Sequence, residues 1–329
     1  IKKTFIMKIN KLFKIIPIIF LTTFVLQSCD NNDEALPLPQ TNNIVDIAQS
    51  SEDLTSLVAA LQKANLISTL QGDGPFTVLA PTNVAFSKFL LDNGFGSLDE
   101  VPTDVLTNIL LNHVISGSIA STDLSTGYTN TLATSSASNS AMSLFVDTSN
   151  GVRFNGISTV SMADISADNG IVHVVDAVIG LPTIATFATS NNALSILTDA
   201  LVYADTGSPT VPYISTVSDA TAGPFTVFAP TNDAFVDLLA ELNIIALTDL
   251  PTSVVNDVLL YHIVGSNIQS GQLTTGTVTT LGGDITVDTS DFTLTDPNNR
   301  VSNIITSLID IQAENGVVHV IDKVILPLQ

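Results

Sequence analysis

Residues 74–86 read GPFTVLAPTNVAF and residues 223–235 read GPFTVFAPTNDAF, so eleven of thirteen positions agree across an offset of 149. A phrase this long, written twice, restricts the chain to a fold that can be laid down twice. The repeat also extends beyond the phrase. VPTDVLTNILLNHVI (101–115) matches LPTSVVNDVLLYHIV (250–264) at the same offset, and NGIVHVVDAVIGLP (169–182) matches NGVVHVIDKVILP (315–327) at an offset of 146. Each copy is about 140 residues, the size of a domain, which makes this a tandem duplication and not a solenoid of small stacked units. The boundaries predicted are 44–182 for the first domain and 183–329 for the second. With almost no linker between them, the two should touch and have limited freedom.

The segment ahead of the repeat reads differently. Lys2, Lys3, Lys8, Lys11 and Lys14 are half of the ten basic residues, and no acidic residue precedes Asp30. From Met7 a basic start leads into an apolar run at 15–26, which is the layout of a secretory signal and short for a spanning helix. The signal, residues 1–28, ends at Leu26-Gln27-Ser28 before Cys29, the single cysteine. That ending resembles a bacterial lipobox, so Cys29 is the predicted lipidation site, and no intrachain disulfide is possible. Residues 29–43 are read as a tether, with an acidic DNNDE that resembles a surface-export tag and then a Pro-containing stretch without periodicity. The predicted location is the outer membrane, on the cell surface. From Cys29 onward 31 acidic residues face 5 basic ones, a formal charge of −26 over 301 residues, which repels phosphate backbones and excludes nucleic acid as a partner.

Within each copy the periods can be read coarsely. Leu54, Leu57, Val58 and Leu61 fall on one helical face behind Ser50 or Ser51 as cap, with Leu194, Leu197 and Leu201 as counterparts. The FTVLAP stretch is β-rich and stops at a proline. Thr82 or Asn83 then caps a helix carrying Ala85, Phe86 and Phe89, and Thr231 and Asn232 repeat this. A further helix begins near Pro102 and ends at His113, with Pro251 and His262 as counterparts. Residues 126–165 and 276–311 are rich in Thr, Ser, Val and Gly with turn signals, which predicts short antiparallel strands. IVHVVDAVI (171–179) is β-branched on both faces, which predicts a central strand. The second copy carries nine extra residues ahead of its phrase, within or beside ADTGSPTVPYISTVSDATAG, and this stretch is predicted to be a surface loop.

FTVLAPTNVAF with FTVFAPTNDAF, the pair Tyr261-His262, and NGVVHVIDKVIL resemble the signature segments of the fasciclin domain, in the right order in both copies. The resemblance implies an α+β fold, in which two tandem domains each form a β-sandwich or wedge of short strands flanked by helices. It implies adhesion or surface interaction and no catalysis. The first copy has Asn112 where the pair has its tyrosine, so Tyr261 and His262 are the candidate recognition residues. Thr82, Asn83, His113, His173, Thr231, Asn232 and His319 are the family-motif residues read as structural. The four histidines are expected to be buried and hydrogen-bonded, with the capped helix start after Pro230 or the Tyr261-His262 helix end as the nearest partners for His319.

Enzyme motifs are missing from the sequence: it has no Gly-x-Ser-x-Gly elbow, no His-Glu-x-x-His helix, no phosphate-cradling glycine loop and no cysteine nucleophile in either copy. No cofactor is expected, and two histidines per copy are too few for a zinc site. The densest acidic group, Asp284, Asp288, Asp291 and Asp296, offers oxygen ligands for calcium but lacks the spacing of a calcium loop. The expected function is a lipid-anchored extracytoplasmic binding or adhesion protein with an extracellular protein, matrix or glycan ligand. Two alternatives stand beside it: capture of an extracellular glycan as an accessory protein, and a hydrolase built on paired carboxylates.

Overall fold

The computed structural model describes residues 42–328; the signal, Cys29 and most of the tether lie outside them. The first copy comprises α1 (Ile44–Ser50), α2 (Thr55–Lys63), α3 (Ile67–Leu70), β1 (Phe76–Pro81), α4 (Asn83–Asp92), α5 (Thr103–Leu111), β2 (Val114–Ser116), β3 (Gly127–Thr134), β4 (Ala141–Asp147), β5 (Arg153–Phe154), β6 (Ser158–Ala167) and β7 (Gly170–Val175). The second comprises α6 (Ile184–Ser190), α7 (Ser195–Thr206), α8 (Tyr213–Ser218), β8 (Phe225–Pro230), α9 (Asn232–Leu242), α10 (Thr252–Leu260), β9 (Ile263–Val264), β10 (Gly276–Thr279), β11 (Asp284–Asp288), β12 (Thr293–Thr295), β13 (Val301–Asn303), β14 (Ile311–Ala313) and β15 (Gly316–Ile321). Helices and strands follow the same order in both copies save that one strand of the first, β6, is two in the second, β13 and β14: an α+β fold repeated in tandem.

Each copy is organised around its most β-branched strand. β7 pairs parallel with β1 and antiparallel with β6; β15 pairs parallel with β8 and antiparallel with β14. Gly170 and Gly316 open these strands because a Cβ at either would strike the backbone oxygen of Phe76 or Phe225 on the parallel neighbour. The sheets then diverge. In the first copy the strands close into a ring, β1 through β7, because β6 is ten residues long and bends round through two register shifts. In the second copy the same span is split into β13 and β14 by a 3₁₀ turn at Thr306–Leu308, leaving two four-stranded sheets joined by the Ile304–Ile321 bridge.

Two elements depart from the sequence reading. Asn43, assigned to the tether, caps α1: its side chain accepts from the N–H groups of Val45 and Asp46, and Asp46 accepts from Asn43 N–H in return. α1 buries Ile44, Val45, Ile47 and Ala48, too few residues to announce a period. The insertion of the second copy is also only partly a loop. Within it α8 buries Tyr213 and Val217, one helical turn apart, at 5% exposure each, and the carboxylate of Asp205 accepts from Tyr213 and Ile214 N–H at 2.7 and 3.0 Å. Tyr213 is therefore core, and the exposed parts of the stretch flank α8, in the α7–α8 connection and again at 218–224.

The copies touch through a contact that neither half of the repeat encodes alone. Phe145 of β4 is 3% exposed and belongs to the same apolar core as Phe187, Leu194 and Ile311 of the second copy. Tyr128 bridges them, with its ring 5.0 Å from that of Phe145 and 5.4 Å, edge-on, from that of Phe187. Around this cluster Ser135 donates to Ala313 O at 2.6 Å, Gln312 N–H donates to Ser143 at 2.9 Å, and Gln269 donates to Ser140 at 2.6 Å. These serines lie on the long β3–β4 hairpin of the first copy.

Candidate functional site

The polar residues of the repeated phrase are engaged by the fold. Thr82 caps α4 by accepting from Ala85 N–H at 3.2 Å, and Thr231 caps α9 through Ala234 at 3.3 Å. Asn83 serves another helix. Its Oδ1 accepts from Ser56 N–H at 2.8 Å and its Nδ2 donates to Glu52 O at 2.8 Å, which caps α2, whose own N-cap residue Leu54 has no side chain for that task. Asn232 does the same for α7 through Ile196 N–H and Asn192 O. The expected cap for the first copy, Ser50 or Ser51, is not used at α2. Asn169 and Asn315, which precede the central-strand glycines, also tie distant segments together. Each accepts from the first N–H of α1 or α6 and donates to the carbonyls that end α3 or α8. No period marks such a residue in the sequence.

All four histidines are buried with both ring nitrogens occupied. His113 Nδ1 donates to Ile109 O at 2.8 Å and Nε2 accepts from Ile179 N–H at 2.9 Å; His262 repeats this with Val258 O and Ile325 N–H at 2.8 and 3.0 Å. In the strands, His173 Nε2 donates to Ile119 O and His319 Nε2 to Ile268 O, both at 2.9 Å, while Nδ1 accepts from Asp164 or Asp310 N–H. The partners of His319 are thus two backbone groups from loops flanking the sheet, not the helix termini the sequence suggested. Around His113 and His262 each ring faces one carbonyl acceptor and one N–H donor, an arrangement only the neutral imidazole satisfies. Desolvation holds His113 and His262 down at about 4 and lowers His319 as well.

This placement corrects half of the expected recognition pair. His262 is 2% exposed and cannot touch a partner. Tyr261 is half-buried. Its ring lies against Gly282 and Gly283 in the β10–β11 turn, where a Cβ at either glycine would strike it. Its edge lines a cleft of about 360 Å³ shared with Thr277, Asp284, Thr286, Thr295 and Pro297. The other three tyrosine hydroxyls are bonded, Tyr128 to Asn191, Tyr203 to Leu250 O and Tyr213 to Asn256, whereas that of Tyr261 has no protein partner among the described residues. Its counterpart Asn112 is fully buried, donating to Gly180 O at 3.0 Å and accepting from Thr131 at 3.1 Å. One copy turned this position into packing and the other left an aromatic edge at the surface.

The acidic group does not converge. Asp288 accepts from Ser290 in its own turn, which lowers its pKa; Asp284 accepts from Thr279; Asp296 is 5% exposed and paired with Arg300 at 3.2 Å. Among the described residues no three His, Cys, Asp or Glu side chains form a metal-holding group.

A family model of the fasciclin domain matches residues 52–182 and 209–327. The chain belongs to the fasciclin domain family. It is 39% identical over 137 residues to an uncharacterized protein of Synechocystis, a match covering 42% of this chain and 96% of that one. It is 29% identical over 203 residues to human periostin, covering 59% of this chain and 22% of periostin. Among solved structures it is similar to a FAS1 domain pair from the insect cell adhesion molecule fasciclin I, at 18% identity and a TM-score of 0.44, covering 82% of this chain and 92% of that one. Fasciclin domains are typically modules of adhesion or extracellular binding. No helix among the described residues is long and apolar enough to cross a membrane.

Proposed function

We propose that this protein is a lipid-anchored, exported binding protein whose second fasciclin domain recognises an extracellular protein or matrix ligand through the surface around Tyr261, with Cys29 as the anchor. The observation that carries the reading is the Tyr261 hydroxyl, free of any partner within the described protein, on a residue that lines a cleft with Thr277, Asp284 and Thr286. A tyrosine so presented offers a rigid apolar ring and one hydrogen bond, a combination enriched in binding surfaces. The histidines support binding over catalysis. A general base needs an unoccupied nitrogen near the substrate, and here both nitrogens of every ring are bonded to the fold.

A panel of immobilised extracellular proteins and glycans, run beside generic hydrolase substrates, tests this. Saturable binding to a protein ligand without turnover is the expected result. Turnover of any substrate, lost on replacing a carboxylate, overturns it, and binding confined to glycans moves the ligand to the other class.

A further inference from the structure

The two copies differ most in chain length at two places, and both border one cavity in the second copy. In the first copy β3 runs on to Thr134, whose N–H donates to Asn108 Oδ1 at 3.0 Å and whose carbonyl accepts from Asn108 Nδ2 at 2.8 Å. That cross-link holds the hairpin over α5, and Leu132 packs against the core there. In the second copy the corresponding span, 276–288 against 127–147, is eight residues shorter, and β10 stops at Thr279. The equivalent face of α10 loses that cover. On the opposite side the α7–α8 connection at 207–212, which has no counterpart of that length in the first copy, stands up as a wall.

Between them lies a cavity of about 650 Å³, within the range of small-molecule sites. Its walls are Val211, Tyr213, Phe225, Leu260, Ile263 and Leu281, and Thr252 and Ser253 at the start of α10 line its edge. No lining residue carries a charge at neutral pH, in a chain where acidic residues outnumber basic ones from Cys29 onward by 31 to 5. A carboxylate or phosphate would find no counter-charge there, and a cation would have to shed its hydration against valine, leucine and isoleucine. Val211 and Leu281 are 59% and 53% exposed at the rim, apolar surface that an occupant would remove from water.

We propose that this cavity is a binding site for an uncharged, mainly apolar small molecule whose polar end reaches the Thr252 and Ser253 hydroxyls. The site is separate from the Tyr261 surface and does not depend on it. Titrating the full chain with the neutral fluorophore N-phenyl-1-naphthylamine tests it. Saturable one-site binding is expected, at least tenfold weaker in Ser253→Trp, which fills the cavity, and in Val211→Asp, which places a charge at its mouth. Both positions are exposed, so melting should be unchanged, and Asp104→Trp at the matching position of the first copy should bind as the wild type does. Dodecanol should displace the probe and dodecanoate should not. Absence of saturable binding, equal affinity in both cavity variants, or equal displacement by alcohol and carboxylate would overturn the proposal.

Discussion

Acid should destabilise this protein through its histidines, and the structure fixes the direction and the window. His113 and His262 each sit between a carbonyl that accepts from Nδ1 and an N–H that donates to Nε2, so a proton added at Nε2 would place two donors face to face. Both are held at about 4, against 6.5 for the ordinary imidazole. A depressed value in the folded state means that the unfolded chain takes up the extra proton first. The stability these two rings contribute is full well above pH 6.5, falls as pH drops towards 4, and changes no further below that. Moving from 6.5 to about 4 is worth on the order of 3 kcal/mol for each residue, and between pH 6 and 4.5 each adds a slope approaching about 1.4 kcal/mol per pH unit. His319 is lowered in the same direction and adds to the fall. Chemical denaturation of the purified protein at intervals from pH 7.5 to 4 measures this directly. His262→Gln should be less stable at pH 7 but should lose one residue's share of the slope, and His113→Gln provides the same reading in the other copy. A wild-type stability that is flat between pH 6.5 and 4, or a His262→Gln slope equal to wild type, would refute the argument that these rings are locked in the neutral form.

Three further outcomes follow from particular contacts. Asn83→Ala should cost about 1 to 2 kcal/mol by uncapping α2, and Asn232→Ala a similar amount at α7, with melting curves as the check, because each removes the one side chain that serves the start of a neighbouring helix. Phe145→Ala should cost about 3 to 5 kcal/mol and should lower the stability of the second copy as well as the first, seen as faster amide exchange in α6 and α7, since the ring belongs to the core of the second copy. Cys29→Ser should move the protein out of the membrane fraction, which fractionation and a lipid-labelling assay would read.

The repeat, the α+β class, the central place of the β-branched strand and the helix starts after Pro81 and Pro230 rest on local patterns, and local patterns are legible in a sequence; that this strand pairs in parallel with the FTVLAP strand about 95 residues earlier is not. What stayed hidden depends on residues far apart in the chain. Thr82 caps the helix it begins, as its position suggests, but Asn83 next to it caps a helix that starts 28 residues earlier, a pairing no spacing rule reveals. Tyr213 and Val217 are buried one turn apart, yet the Gly, Ser and Pro around them read as loop, and six helical residues give too short a period to outweigh those signals. The closing of one sheet and the splitting of the other turn on whether β6 bends or breaks, which register shifts decide and composition does not. At the candidate site, the Tyr261-His262 pair reads as a unit in sequence. The helix end separates them, sending the histidine into the core and leaving the tyrosine edge at the cleft.

The central claim, that the second domain binds through the surface at Tyr261, is tested most directly by retention of beads coated with the protein on its natural extracellular surface, comparing wild type, Tyr261→Phe and Tyr261→Ala after each is shown to be folded by circular dichroism. The phenylalanine variant keeps the ring against Gly282 and Gly283 and removes only the unpartnered hydroxyl. The account predicts retention reduced several-fold in Tyr261→Phe and further in Tyr261→Ala; wild-type retention in both folded variants would contradict it and leave Tyr261 as packing for the β10–β11 turn.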